Sequence, residues 1–501
     1  MKKNILGSIS YVMVIMIFSR LLSLLSVQIY MSFFGASDKF LNIYSYAISV
    51  PNIIFTCFGT ALSTVVVPIY AGYIANHENQ KAKSFADNLI TVATAFTAVL
   101  VLIGIALSPI LPRFTKLGEY NFTMKALMIM MPAMLFYGLN YIFQGMLQSH
   151  GKYGWPAFVS VPSSLVVIAY VFLLGDKYGV FGLLLATLIG LCLQAFILVP
   201  PLIRVGYKYS PRFDLRSPDM KTALRMTGPV LLGVSAYQIN MFYNTTMITS
   251  FPGMVTLLNY VQNITLYMVL AFVYSITAVI YPKLTASAAV GNMDEYKETL
   301  QHILHFVIIL LLPVTFGFIA VKEPLLELIS KWGKVTEKDV SIACGLLTMY
   351  SIGILGIGLK EILDRAFYAL KKTLLPAVNG FCIMAINICL SLILIRYIGA
   401  FGVPLAYSIA SLTGAVILLF FLRRKIGMFG KGLGKTFILS LLSSALMLLV
   451  VRLTNQYMLT LLSGDLIVQR IIRLIVPVFV GVVCYAALGF LLRFIPKKGV
   501  K

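Results

Sequence analysis

Two sets of residues recur 220 positions apart. Gly138-Leu139, Pro156-Ala157, Gly179, Gly182 and Ala186 in the first half are answered by Gly358-Leu359, Pro376-Ala377, Gly399, Gly402 and Ala406 in the second. They sit in or beside long apolar runs, and a run of roughly 20 apolar residues crosses a bilayer as one helix. A duplicated bundle of membrane helices is the usual architecture of a transporter with its site at the repeat interface. The duplication therefore points to a carrier before any single side chain is considered.

Composition agrees. Hydrophobic residues make up 59% of the chain and charged residues 11%, which no ordinary soluble domain of 501 residues shows. Backbone groups inside lipid must be satisfied within the segment, so helices are expected, and the alternating ten-residue strands of a barrel are missing from the sequence. The reading is an all-α polytopic membrane protein of about fourteen transmembrane helices. Residues 1–205 form an N-terminal six-helix repeat, 206–222 a polar cytoplasmic linker, and 223–425 a C-terminal six-helix repeat. Residues 426–501 hold an appended helix pair and a cytoplasmic tail. A second anchor, Pro68 against Pro282, lies at an offset of 214, so an indel separates the two sets of matches. Six crossings per half give both halves the same orientation, so the repeats are parallel, and rocking them would open a central cavity to each side in turn. The first apolar run is too long for a signal-peptide core and lacks a cleavage site, so it is expected to stay as the first span.

The net charge of +23 would suggest nucleic acid in a soluble protein. Here the basic residues lie between apolar spans, so the positive-inside rule explains them and no nucleic-acid partner is expected. With both termini in the cytoplasm, inner segments hold 24 Lys and Arg and outer segments 13, with Arg20, Lys360 and Arg365 inside spans. That excess places both termini in the cytoplasm. The six cysteines lie in apolar segments without CxxC spacing, and the four histidines form no ligand cluster, so neither a disulfide framework nor a metal site is expected.

Charge inside a span is costly, about 2.5–3.5 kcal/mol at a helix centre on insertion scales, so the few charged residues there are informative. Arg20 lies in the middle of the first span. Its guanidinium can fork onto a phosphate, or it can be a structurally paired arginine. The tenth span carries Lys360, Glu361, Asp364 and Arg365, in which Lys360–Asp364 and Glu361–Arg365 are both i,i+4 pairs on one face. They form a self-neutralising network or take part in ion coupling. The seventh and eighth spans carry Ser235, Gln238, Asn240, Asn244, Asn259, Gln262 and Asn263, and Gly228-Pro229 suggests a kink with polar side chains along one face. Interhelical hydrogen bonds and a hydrophilic lining account for them equally well. No Walker loop, Ser/His/Asp set, HExxH or TVGYG filter occurs, so no enzyme, ATP hydrolysis or selective channel is expected. No cofactor is expected either. Transport would draw on the membrane potential or on a sodium or proton gradient.

Particular stretches carry a family resemblance. FSRLLSLLSVQIYMSFFGASD (18–38), VPN (50–52), ALSTVVVPIYAGY (61–73), GPVLLGVSAYQINMFYNT (228–245), VIYPKLTASAAVGNMDEY (279–296), WGKVTEKD (332–339) and RAFYALKKTLLPA (365–377) resemble MurJ/MviN-type lipid II flippases. These belong to the multidrug/oligosaccharidyl-lipid/polysaccharide exporter superfamily. The resemblance spans residues 8–425 and implies fourteen helices and alternating access. It further implies transfer of an undecaprenyl-diphosphate-linked saccharide to the outer leaflet, with the last two helices forming a groove for the lipid tail. It carries Ser19 and Arg20 over as the family's Ser-Arg pair. Elsewhere the chain departs: Ser26-Val27 stand where the family has Arg-Asp, Phe55-Thr56 where an arginine follows Pro-Asn, Asn263 where it has arginine, and Leu266 where it has an acid.

The expected substrate-contacting set is Ser19, Arg20, Asn52, Ser235, Gln238, Asn244 and Asn263, with Lys360, Glu361, Asp364 and Arg365 as the charged network. Expected partners are the lipid-linked saccharide, membrane lipids and cell-wall synthesis enzymes. Alternatives are a flippase for a capsule, exopolysaccharide or O-antigen repeat unit, a cation-coupled multidrug antiporter, and a non-transporting scaffold. An antiporter would favour an acidic residue in the first or seventh span, where this chain has none well inside. The charge asymmetry predicts that a cysteine at Ser217 resists membrane-impermeant maleimide added outside intact cells. Ready labelling there would reverse the topology.

Overall fold

The computed structural model describes the backbone of residues 2–330, 333–370, 372–427, 432–462, 464, 466–492 and 494. Among these residues no strand occurs, and the chain runs through seventeen α-helices. In the first half they are α1 (Lys2–Phe34), α2 (Lys39–Ala75), α3 (Asn79–Leu107), α4 (Tyr120–Met130), α5 (Ala133–Ser149), α6 (Gly154–Phe158), α7 (Val161–Phe196) and α8 (Val199–Arg204). They continue with α9 (Pro218–Ile248), α10 (Met254–Ala289), α11 (Met293–Ser330), α12 (Glu337–Ser351), α13 (Ile354–Ala369), α14 (Leu374–Ile398), α15 (Gly402–Ile426), α16 (Leu433–Leu461) and α17 (Ile467–Leu491). Several helix starts are capped by side chains. The Asp38 carboxylate accepts from Leu41 N at 2.8 Å to open α2, Ser217 precedes Pro218 at the start of α9, and Thr336 forms a capping box with Asp339.

Ten segments are long and apolar enough to cross a membrane among the described residues. Two of them, Gly154–Arg204 and Leu374–Ile426, are 51 and 53 residues long. Each doubles back and counts as a pair of crossings. The helices α9 and α10, of 31 and 36 residues, add two more, which gives fourteen. At about 1.5 Å per residue each of those two outreaches the roughly 30 Å hydrocarbon core.

The two reversals show that the 220-residue recurrence is structural. Gly179 has φ 56° and ψ −149°, and Gly399 has φ 60° and ψ −138°. Both lie in a region that side chains other than hydrogen rarely enter, so glycine is required where the chain turns back. Around the first turn the Tyr170 hydroxyl donates to the Gly179 carbonyl at 2.6 Å, and a Cβ at Gly190 would meet Ser163 Cα at 2.9 Å. At the second, a Cβ at Gly402 would meet the Leu394–Ile395 backbone at 2.7 Å. Small residues thus let the antiparallel arms approach closely. The offset of 214 also survives. Gly138 faces Phe55 on α2 and Thr97 on α3, while Gly358 faces Val273 on α10 and Leu311 on α11, with Thr97 and Leu311 at matching positions.

The chain divides into two compact units, Met1–Thr256 and Leu257–Lys501. In the first, α9 packs along α2. The 206–222 linker is fastened to α3. Asp87, almost fully buried, accepts from the Tyr207 hydroxyl at 2.7 Å and from Ser210 N at 3.2 Å, and pairs with Lys83 at 3.2 Å. Burial and the adjacent carboxylate push the Tyr207 phenol well above its ordinary range, which keeps its proton in that bond. One helical position on, Asn88 donates to Asp214 O at 2.7 Å and accepts from Asp214 N at 2.8 Å. In the second unit, α16 and α17 lie on α11, where the Tyr485 hydroxyl donates to Ile309 O at 2.8 Å and meets Ser440 at 2.6 Å.

The reversal geometry yields a test. A Cβ at Gly179 would meet nothing within 4 Å, so Gly179→Ala carries only a backbone penalty. It is expected to cost about 1–3 kcal/mol and to lower the thermal midpoint in detergent. An unchanged midpoint would show that the turn tolerates side chains.

Candidate functional site

In the first unit, sequence neighbours on α1 take opposite roles. Ser19 is buried, and its hydroxyl donates to Ala157 O at 2.8 Å on α6. It fastens α1 to the start of the α7 hairpin, where Ser23 and Ser164 meet at 3.2 Å. Ser19 is thus a packing residue here and not an open polar contact. A step of about 100° around the helix brings Arg20 to the exposed side. Its charge is within electrostatic reach of Tyr141 on α5.

Tyr141 belongs to a polar ladder that sequence reasoning missed. Asn52 and Thr56 are one turn apart on α2, and Tyr137 and Tyr141 one turn apart on α5. The Tyr137 phenol stands close to Asn52 and the Tyr141 phenol close to Thr56, and the Thr56 hydroxyl donates to Asn52 O at 2.6 Å. Between the rungs Phe55 is buried against both rings, at centroid distances of 6.5 and 6.3 Å. Asn52 stays exposed, so the ladder presents amide, hydroxyl and phenol groups near the Arg20 cation. The clue was the matching i,i+4 spacing on two helices, which shows only once the helices are known to pair.

The other expected polar residues do not converge on one face. In the described backbone α9 is a single helix through Gly228-Pro229. Ser235 donates to Leu231 O at 2.6 Å and lies close to Cys57 on α2. Gln238 and Asn244 are both buried, but six residues at about 100° each set them on well-separated sides of α9. The single polar face expected there is corrected by this rotation. Asn263 is half-buried on α10 in the second unit.

The charged network lies on α13 in the second unit. Lys360 Nζ donates to Asp364 at 2.6 Å, with the aspartate buried and the lysine partly exposed. The second carboxylate oxygen, Asp364 Oδ1, is buried without a hydrogen-bond partner. Glu361 and Arg365 are half-buried beside it. The repeat gives this pair a counterpart. Positions 220 earlier are Asn140 and Gln144 on α5, and there the Gln144 amide donates to Asn140 Oδ1 at 2.7 Å. The same i,i+4 rung is thus neutral in one repeat and ionic in the other.

Comparison with known proteins bears on what this scaffold is. The profile of the family described as lipid II flippase MurJ matches residues 31–471. The chain belongs to this family. It is 24% identical to a probable lipid II flippase MurJ of Buchnera aphidicola subsp. Baizongia pistaciae over 486 residues, covering 94% of each chain. It is also 24% identical over 406 residues to the lipid II flippase MurJ of Burkholderia cenocepacia, covering 78% of each. Among solved structures, a lipid II flippase MurJ in an inward closed conformation matches with TM-score 0.78 at 24% identity, covering 96% of this chain and 98% of that one. An inward-facing multidrug resistance MATE family transporter of the MOP superfamily matches with TM-score 0.67 at 15% identity, covering 81% and 94%. At these identities the structural likenesses speak for the fold. The family match makes the chain a multi-pass transporter-type membrane protein.

The α13 pair predicts an asymmetry between variants. Asp364→Ala is expected to destabilise by about 3–5 kcal/mol, because it leaves a lysine desolvated without its partner, whereas Lys360→Ala/Asp364→Ala is milder. Thermal unfolding of both variants in detergent is the measurement. A double variant as unstable as the single one would rule out pairing as the role of these residues.

Proposed function

We propose that this chain moves lipid II, an undecaprenyl-diphosphate-linked saccharide, from the inner to the outer leaflet of the bacterial plasma membrane by alternating access. The observation that carries the reading is the family match over residues 31–471, together with an exposed Arg20 within electrostatic reach of the polar side chains of α2 and α5. The physical problem is an amphiphile whose anionic, sugar-bearing head must cross hydrocarbon. A fixed guanidinium replaces part of the lost hydration of a diphosphate through charge-assisted hydrogen bonds. Asn52, Tyr137 and Tyr141 add neutral partners of the kind a sugar or amide needs. No covalent bond of the substrate changes, so the process is transport and not catalysis.

The cycle needs a source of free energy. Our reading assigns it to the membrane potential or to a sodium or proton gradient, with the α13 network of Lys360, Glu361, Asp364 and Arg365 as the titratable element. Cytoplasmic termini follow from the Lys/Arg asymmetry. Cell-wall synthesis enzymes that consume the flipped lipid are the expected protein partners.

Arg20 is the basic residue that the sequence places inside a span of the N-terminal repeat. Arg20→Ala is therefore expected to abolish rescue of cells depleted of their lipid II flippase at matched protein levels, while membrane insertion persists. Arg20→Lys should rescue in part, since ammonium keeps the charge and loses the fork. Full rescue by Arg20→Ala would exclude Arg20 as the anion contact.

A further inference from the structure

The α16–α17 hairpin buries two arginines near its Gly464 end. Arg470 and Arg473 are only 8% and 6% exposed, and they share one face of α17 as an i,i+3 pair. A long side chain near the end of a membrane helix normally snorkels its charge to water. These two do not. Arg473 donates from one terminal nitrogen to Gly464 O at 2.9 Å, while its buried Nε has no hydrogen-bond partner. It makes no ion pair with any described residue.

The local backbone adds more positive charge. Both arginines lie in the first two turns of α17, at the positive end of the helix dipole, where basic side chains are unfavourable. No acidic residue stands in that first turn, and Leu466, at the N-cap, provides no side-chain hydrogen bond. Among the described residues, Leu466 thus leaves the leading amides of α17 without a side-chain cap of its own. The hairpin register brings in one more polar group. Ser440 meets Tyr485, and Gly481 lies against Val451, so an antiparallel α16 places Asn455 at about the level of Arg473. Asn455 is buried, and its side-chain oxygen also has no partner. Turned about its last torsion, the amide offers its NH2 group instead.

A helix N-terminus, a buried guanidinium with a spare donor and a buried amide together make a receptor for an oxyanion. We propose that the Gly464 end of this hairpin binds a phosphate group, supplied by a lipid headgroup, with Arg473 as its principal contact and the charge of Arg470 reinforcing it. The fork of Arg473 suits a tetrahedral oxyanion better than a point charge does. This site is separate from the Arg20 region and does not depend on the transport reading.

The test uses the full-length protein, delipidated in detergent, and compares thermal midpoints on adding phosphatidylglycerol, undecaprenyl diphosphate, diacylglycerol or inorganic phosphate. Either phosphate-bearing lipid is expected to raise the midpoint beyond diacylglycerol. Arg473→Gln should weaken that response about tenfold, the scale of one lost hydrogen bond to a charged group. Reading each variant against its own diacylglycerol control removes any general loss of stability. If Arg473→Gln does not fold, Arg473→Lys stands in, with a loss of about threefold expected. A larger response to phosphatidylglycerol identifies a membrane phospholipid, and a larger one to undecaprenyl diphosphate ties the site to polyprenyl carriers. Asp465 lies outside the described residues, so Asp465→Asn is the control for an internal counter-ion, with an unchanged response expected. The proposal is overturned by a response that does not depend on the headgroup, by one seen with inorganic phosphate alone, by one equal in the Arg473 variants, or by its loss in Asp465→Asn.

Discussion

A chain that crosses hydrocarbon must satisfy its backbone within each crossing, and everything else in this protein is arranged around that demand. It forces continuous helices, and it leaves the reversals as the places where the backbone leaves helical geometry. Gly179 and Gly399 meet that need in the same way, with nearly the same φ and ψ. Small residues beyond them let the returning arm lie close to the outgoing one. With the helical frame fixed, side-chain polarity becomes the variable that function can use.

The α5 and α13 rungs show how that variable is used. One position in the repeat carries Asn140 and Gln144, and its counterpart carries Lys360 and Asp364. Geometry is preserved while the electrostatic content changes from an amide pair to an ion pair. The first unit carries Arg20 on α1 instead, with tyrosines and an asparagine nearby. The matching positions thus keep one backbone geometry and carry different chemistry.

Much of this was legible in the sequence. The recurrence at 220 included Gly179 and Gly399, which the structure shows to be the turning residues of the two hairpins. Apolar length gave the crossings. The i,i+4 spacing of Lys360 and Asp364 gave their ion pair directly. What the sequence did not show depends on rotation and on partners distant in the chain. Ser19 and Arg20 are adjacent letters, yet one is buried in a seam and the other faces outward. Tyr137 and Tyr141 read as membrane aromatics until α5 lies beside α2. Arg470 and Arg473 read as outer-loop charges until α17 is seen to begin before them and to bury both.

The linker between the repeats carries the same lesson to a different observable. Residues 206–222 are the most polar stretch of the chain and look, in sequence, like a tether. Yet Ser210 N donates to Asp87, Arg212 N to Thr91, Asp214 N to Asn88, and Ser217 N to Asp214. These amides are spent on side chains and not on water. In hydrogen-exchange terms these four amides are expected to exchange more slowly than those of a free loop. A protease cut within it would leave both new ends held to α3, so the nicked chain would still behave as a splinted one.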